Sequence, residues 1–155
     1  MSRLLGVAGV QMTVVPWDAQ ATVDKTADIA ININTSFPWV QLVMFHELVV
    51  PGYVQFVTPE NKDWWKPNTE LVPGPLSDRL YAIARNTKQW IIPGSMFEVD
   101  DDKFYNTALV ISPQGEIVAK YRKMFPWLPF EGGTTPRNEF CVFDNPNVGR
   151  LGLCI

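Results

Sequence analysis

Three polar residues stand at the ends of runs that are otherwise largely apolar. Glu47 follows Val40-Gln41-Leu42-Val43-Met44-Phe45, Lys123 ends the run from Ile117, and Cys154 ends the run Val148 to Leu153. A carboxylate, an ammonium and a thiol at strand ends form a base, a cation and a nucleophile. The thiolate is the attacking species, so it needs a group to take its proton and a positive charge nearby. Glu47 and Lys123 supply one of each.

Each residue has a plainer reading. Side chains alternate along a strand, which puts Ile117, Ala119, Tyr121 and Lys123 on one face and Val118, Lys120 and Arg122 on the other. Lys120 and Arg122 then read as solvent-facing, while Lys123 points with the apolar set. An ammonium so placed requires a carboxylate or anion beside it; otherwise the strand end frays and the lysine enters solvent. Glu47, between Phe45 and Leu48-Val49-Val50, suits a general base, or a solvated or ion-paired carboxylate. Cys154 reads as core or as a nucleophile, with Gly149 and Gly152 permitting a tight turn that lifts the thiol out of a sheet. His46 is the only histidine, and a Cys–His dyad is open to it. Neighbouring residues of a strand point opposite ways, so only one of His46 and Glu47 faces a common site.

The elements that must position these groups alternate. Leu4 to Met12 reads as a strand buried on both faces; behind Arg3 it superficially resembles a signal peptide but has no small-residue cleavage pattern. Asp18 to about Ser36 reads as a helix with Asp18 as N-cap and Val23, Ala27, Ala30, Ile31 and Asn34 on its inner stripe. Val40 to Phe45 is a second buried strand. Residues 53 to 74 read as an irregular loop, bearing Trp64-Trp65, of the kind that is functional or an interface. Pro75 opens a helix with Leu76, Leu80, Ile83, Ala84 and Thr87 on one stripe. Trp90 to Glu98 reads as one strand, and Tyr105 to Ile111 with Ile117 to Lys123 as a hairpin around Ser112-Pro113-Gln114-Gly115. After a Pro/Gly-rich loop over 124–138, Glu139 to Phe143 and Val148 to Cys154 are the last strands, the final one of buried type with nothing to cover it. The class is mixed α/β: early β-α-β favours parallel pairing, and the hairpin adds antiparallel pairing.

The 155 residues amount to one domain. At 46% hydrophobic and 19% charged they can build a packed core. A net charge of −3 argues against nucleic acid or anionic lipid as the main partner. No stretch approaches the roughly 20 apolar residues of a membrane helix. Two cysteines, Cys141 and Cys154, are too few for a disulfide scaffold and favour free thiols in a reducing cytoplasm. Metal-ligand spacing, a phosphate loop and a nucleotide fingerprint are all lacking.

In this order the residues resemble the N-terminal half of a nitrilase-superfamily carbon–nitrogen hydrolase. Val7 to Met12 resembles the opening strand, and His46-Glu47-Leu48 with Pro51-Gly52-Tyr53 the glutamate block. Tyr121-Arg122-Lys123 resembles the lysine block, and Gly149 to Ile155 the nucleophile block. Lys123-Met124-Phe125-Pro126-Trp127-Leu128-Pro129-Phe130-Glu131-Gly132 is similar to the aliphatic amidase and formamidase branch, where a second glutamate follows the lysine by eight positions. The resemblance implies half of a four-layer αββα sandwich, a mixed sheet with flanking helices, in a single domain over 1–155 that stops just after its nucleophile. It selects Glu47 over His46 and implies a Glu47–Lys123–Cys154 triad with no cofactor or metal. Glu131 then helps to position substrate, Trp127 and Tyr53 contact it, and the Ile155 amide stabilises an oxyanion. The implied partners are a small amide or nitrile, further copies of the chain, and the remaining C-terminal half. Three alternatives stay open: nitrile hydrolysis, N-carbamoyl hydrolysis, and a non-catalytic binding or assembly module on the same fold.

Overall fold

The computed structural model describes residues 4–52, 66–128 and 131–155. Tyr53, Trp64 and Trp65, with most of the expected irregular loop, lie outside them. Among the described residues seven strands form a mixed sheet, and two more form a separate hairpin. The early strands are β1 (Val7–Val10) and β2 (Leu42–Phe45), followed by β3 (Thr69–Glu70), β4 (Trp90–Ile92) and β5 (Ser95–Asp100). The later ones are β6 (Lys103–Ile111), β7 (Ile117–Arg122), β8 (Cys141–Asn145) and β9 (Gly149–Leu153). The helices are α1 (Ala19–Ser36) and α2 (Pro75–Thr87).

Alternation along the strands divides the core in two. Val43, Phe45, Ile91, Met96, Leu109 and Ile111 pack against Val23 and Ala30 of α1 and Leu80, Ile83 and Ala84 of α2. Their neighbours Leu42, Ile92, Ala108 and Val110, with Trp90 and Tyr121, face the other way and pack under Phe143 of β8 and Leu153 of β9. Helices cover one face of the sheet and a β-hairpin lies over the other. β1 and β2 run parallel, as do β2 and β4, whereas β6 is antiparallel to β4, β5 and β7. Both helix starts follow the chain's chemistry. The Asp18 carboxylate accepts from Ala21 N at 2.8 Å, and the Glu70 carboxylate of β3 accepts from the first-turn amides of Leu76 and Ser77 at 2.8 Å each.

Several expectations are corrected. β1 is not buried on both faces: Val7 is 48% exposed, because this outer strand packs only on its helix side. The inner stripe of α1 is rotated, with Thr22, Val23, Thr26 and Ala30 buried and Ile31 exposed. Threonines can serve there because their hydroxyls bond back to carbonyls one turn earlier, Thr22 to Asp18 and Thr26 to Thr22. The expected single strand Trp90 to Glu98 is two strands broken at Pro93-Gly94, β4 and β5, which follow one another along the same edge of β6. β9 alternates in burial and pairs only with β8, so only one of its faces packs.

The β6–β7 hairpin carries the correction with most consequence. Val110 pairs with Ala119, yet Ile111 pairs with Ile117, so Val118 is an extra, bulged residue. Ile117 therefore drops out of the face shared by Ala119, Tyr121 and Lys123. Arg122 is not solvent-facing either. With Lys120 it reaches the buried Glu98 of β5: Arg122 Nε and Nη2 donate at 2.8 Å each, Lys120 Nζ at 2.7 Å and Thr107 Oγ1 at 2.7 Å. The Arg122 guanidinium also lies 4.0 Å from the Tyr105 ring centroid. Burial alone would raise the Glu98 pKa, but the hydrogen bonds from Arg122, Lys120 and Thr107 outweigh it and hold this carboxyl below the usual range. Its contribution to stability is complete above the ordinary glutamate value and is lost as pH falls through the depressed one. Glu98→Gln is expected to cost about 2 kcal/mol at neutral pH. In urea unfolding at a series of pH values, the gap to the parent chain should close below about pH 4; a gap that stays constant into acid would refute the assignment.

Candidate active site

Glu47 sits in the turn that follows β2. There Leu48 adopts a left-handed conformation, φ 55°, and its amide donates to Ser95 Oγ at 2.8 Å. The Val50 amide donates to the Ser95 carbonyl at 3.3 Å. The turn nests against the break between β4 and β5, where Gly94 has φ 78°. A Cβ on Gly94 would meet the His46 carbonyl oxygen at 2.0 Å, so only glycine allows this approach. The His46 ring lies 2.9 Å from the Glu47 carbonyl through Nδ1 and 2.9 Å from the Met12 carbonyl through Nε2. His46 thus braces the turn against the segment after β1, while Glu47 faces β6 and β7.

Lys123 follows the last residue of β7, and its backbone amide donates to the Asn106 carbonyl at 2.8 Å. Lys123 and Asn106 are therefore cross-strand neighbours with side chains on one face. Lys123 Nζ donates to Glu47 Oε1 at 2.6 Å and to Glu131 Oε2 at 2.7 Å. Asn106 Nδ2 donates to Glu47 Oε1 at 2.8 Å and Glu131 Oε1 at 2.6 Å. The Trp127 amide donates to Glu131 Oε2 at 2.7 Å, and the Glu131 amide returns a bond to the Trp127 carbonyl at 2.9 Å. Glu131 is 3% exposed, with both oxygens engaged inside the chain. The Glu47 side chain is 38% exposed, and its Oε2 has no partner among the described residues. Burial alone would lower the Lys123 pKa, but the hydrogen bonds to Glu131 and Glu47, reinforced by their charges, hold the ammonium above the usual lysine value. The cluster thus offers a fixed cation and one carboxylate oxygen open to outside chemistry.

Of the residues singled out in the sequence, Glu47, Lys123 and Glu131 meet directly. Cys154 is exposed and makes no hydrogen bond among the described residues. Its flanking residues Leu153 and Ile155 join the apolar cluster that holds Tyr121 and Met124, the latter adjacent to Lys123. β9 thus packs its apolar side on the sheet face to which Tyr121 belongs, and the Cys154 thiol has no hydrogen bond to Glu47, Lys123 or Glu131 among the described residues. Trp127 presents a 61% exposed side chain on the loop that Glu131 closes. Tyr53 lies outside the described residues. Cys141, by contrast, is half-buried, and burial pushes its thiol pKa up. Asn106 is the residue that sequence reasoning missed. Its signal was an amide in a largely apolar strand, which gains meaning only once the bulged register puts it opposite Lys123. Among the described residues, no group of three or more His, Cys, Asp or Glu is arranged to hold a metal ion, and no helix is long and apolar enough to cross a membrane.

A mixed sheet, helices on one face and a Glu–Lys–Glu cluster at the strand ends define an α/β fold with a largely buried charged site, and comparison with known proteins places it. The sequence model of the carbon–nitrogen hydrolase family matches residues 6–155, and the chain belongs to that family. A formamidase of Bacillus anthracis is 31% identical over 154 residues, and one of Bacillus cereus is 29% identical over 153, each match taking in 94% of this chain. The chain spans 44% of the length of each of these curated relatives. Among solved structures, Nit3 of Saccharomyces cerevisiae, from branch 10 of the nitrilase superfamily, matches 99% of this chain with a TM-score of 0.83. The identity is 21%, and 55% of that chain is covered. An amidase from Nesterenkonia sp. matches 99% of this chain with a TM-score of 0.76 at 22% identity, with 56% of its own chain covered. The expected α/β architecture, a mixed sheet with flanking helices, matches the fold of these solved structures.

Proposed function

We propose that the intact protein hydrolyses small aliphatic amides to carboxylic acid and ammonia through a cysteine thioester. The observation that carries this reading is the Lys123 ammonium fixed at 2.6 Å from Glu47 and 2.7 Å from Glu131, a cation held between two carboxylates. Relatives named formamidase and a neighbour named amidase support amides as the substrate class. A cysteine-to-alanine mutant of the Nesterenkonia amidase has been solved in complex with butyramide. In a glutamate-to-glutamine mutant of that protein, acrylamide adds at the active-site cysteine.

In this reading Glu47 Oε2 takes the Cys154 proton and the sulfur attacks the carbonyl carbon. The C–O π electrons move onto oxygen, where the Lys123 ammonium and the Ile155 amide receive the charge. One such donor is worth roughly 3–4 kcal/mol in other hydrolases. The tetrahedral intermediate collapses, the C–N bond breaks, and ammonia leaves with the proton held by Glu47. Glu47 next takes a proton from water, whose oxygen attacks the thioester; the C–S bond breaks, Glu47 returns the proton to sulfur, and the acid and the thiol are freed. Glu131, with both oxygens already bonded, fixes Lys123 and the Trp127 loop, so its positioning of substrate is indirect. Trp127 borders the acyl group and keeps it small, and substrate contact by Tyr53 remains what the family resemblance implies. Homo-oligomers in a reducing cytoplasm complete the proposal, in keeping with two free thiols.

Ammonia release by the intact protein tests it. Formamide and acetamide should be turned over faster than benzamide, and acetonitrile should be left intact. Preferred turnover of a nitrile or an N-carbamoyl compound would transfer the assignment to that branch. No release from any of these substrates would favour a binding module.

A further inference from the structure

We propose that Asn106 is the positioning residue that commits Glu47 to proton transfer through a single oxygen. The inference rests on the hydrolase reading above and deepens it. One nitrogen, Asn106 Nδ2, bridges two carboxylates, at 2.8 Å from Glu47 Oε1 and 2.6 Å from Glu131 Oε1. On Glu47, Oε1 thereby takes both the amide and the Lys123 ammonium, which leaves Oε2 as the oxygen free to exchange a proton with the thiol.

Three observations support a dedicated role. Asn106 is 1% exposed, so its orientation is set by the protein and not by solvent. Its own Oδ1 is buried without a hydrogen-bond partner among the described residues. Such an orphan costs free energy and calls for a reason. Turning the amide over would aim Oδ1 at two carboxylates, so the orphan is the price of facing both glutamates with the donor. Finally, two like charges converge on one lysine, and their mutual repulsion would splay the two side chains. The bridging N–H groups oppose that movement and hold the pair in fixed geometry.

A variant lacking the bridge should lose chemistry more than binding. In the intact protein, Asn106→Leu, close in shape but without a donor, is expected to lower kcat for acetamide about a hundredfold, the scale of a misplaced catalytic group. KM should stay within about threefold, and the acid limb of the kcat/KM profile should move to higher pH. Asn106→Asp, which adds a third carboxyl, should move that limb further and serves if the leucine variant does not fold. Iodoacetamide labelling provides a readout that needs no turnover: Asn106→Leu should slow alkylation of Cys154 and leave Cys141 unchanged. An unmoved acid limb, or a rise in KM alone, would overturn the role. If the parent protein hydrolyses no amide, the hydrolase reading fails by itself and the labelling comparison still decides Asn106. Unchanged alkylation of Cys154 would then overturn the inference.

Discussion

Cys154→Ala is expected to lower amide turnover by the intact protein by roughly 10⁴-fold or more, the scale seen when the nucleophile of a hydrolase is removed. The substitution should be nearly silent for the fold. The thiol is exposed and makes no hydrogen bond among the described residues, whereas its neighbour Leu153 supplies the packing. Ammonia release measures the loss. Acid quench followed by intact mass measurement adds a direct check, because the parent protein should carry an acyl group during turnover and the alanine variant none. A variant retaining a tenth of the parent rate at unchanged melting temperature would mean that the nucleophile lies elsewhere.

The second large effect concerns stability as well as rate. Lys123→Met removes the cation that two carboxylates share, one of them the buried Glu131. Breaking a buried pair by deleting one partner costs about 3–5 kcal/mol, since the other charge is left without compensation. The estimate rests on Glu131, because the more exposed Glu47 regains water and contributes less. The pH dependence has a definite sign. The Lys123 value is raised in the folded protein, so its contribution is complete below the ordinary lysine value of about 10.4 and fades as pH rises through the higher folded one. Urea unfolding of parent and variant should therefore differ by a constant amount near neutrality and converge only above about pH 10. Amide turnover should fall at least as far as for loss of one oxyanion donor, about 10²–10³-fold. A fully stable variant would show that the glutamates have other partners.

Much of this was legible before any coordinates, for reasons that differ by element. The inner stripe of α2 was readable because one apolar face at helical spacing leaves no alternative packing. That Lys123 needed a carboxylate was readable from the cost of burying its charge, and two are present. The Glu98 network was not readable. Glu98 lies on β5 whereas Lys120 and Arg122 lie on β7, and alternation says which face a side chain takes but not what waits there. The break at Gly94 was hidden because its cause, close approach of the His46 carbonyl, lies far off in the chain. Asn106 escaped notice because one residue of register separates it from irrelevance.

Arg122 and Lys123 are consecutive residues that dip into two unlike wells on opposite sides of one sheet, Glu98 beneath and the Glu47–Glu131 pair above. Slippage of β7 by one place would, according to its direction, bring Arg122 opposite Asn106 or Lys123 opposite Thr107, offering a broad planar guanidinium to a socket shaped for a compact ammonium or the reverse. The apolar residues at the start of β7 are too exposed to forbid that shift. Electrostatics acts here as a two-sided key: the same adjacency that arms one side of the strand prevents mispairing from the other. Engineers who shorten or lengthen this hairpin should therefore conserve parity before they conserve hydrophobicity.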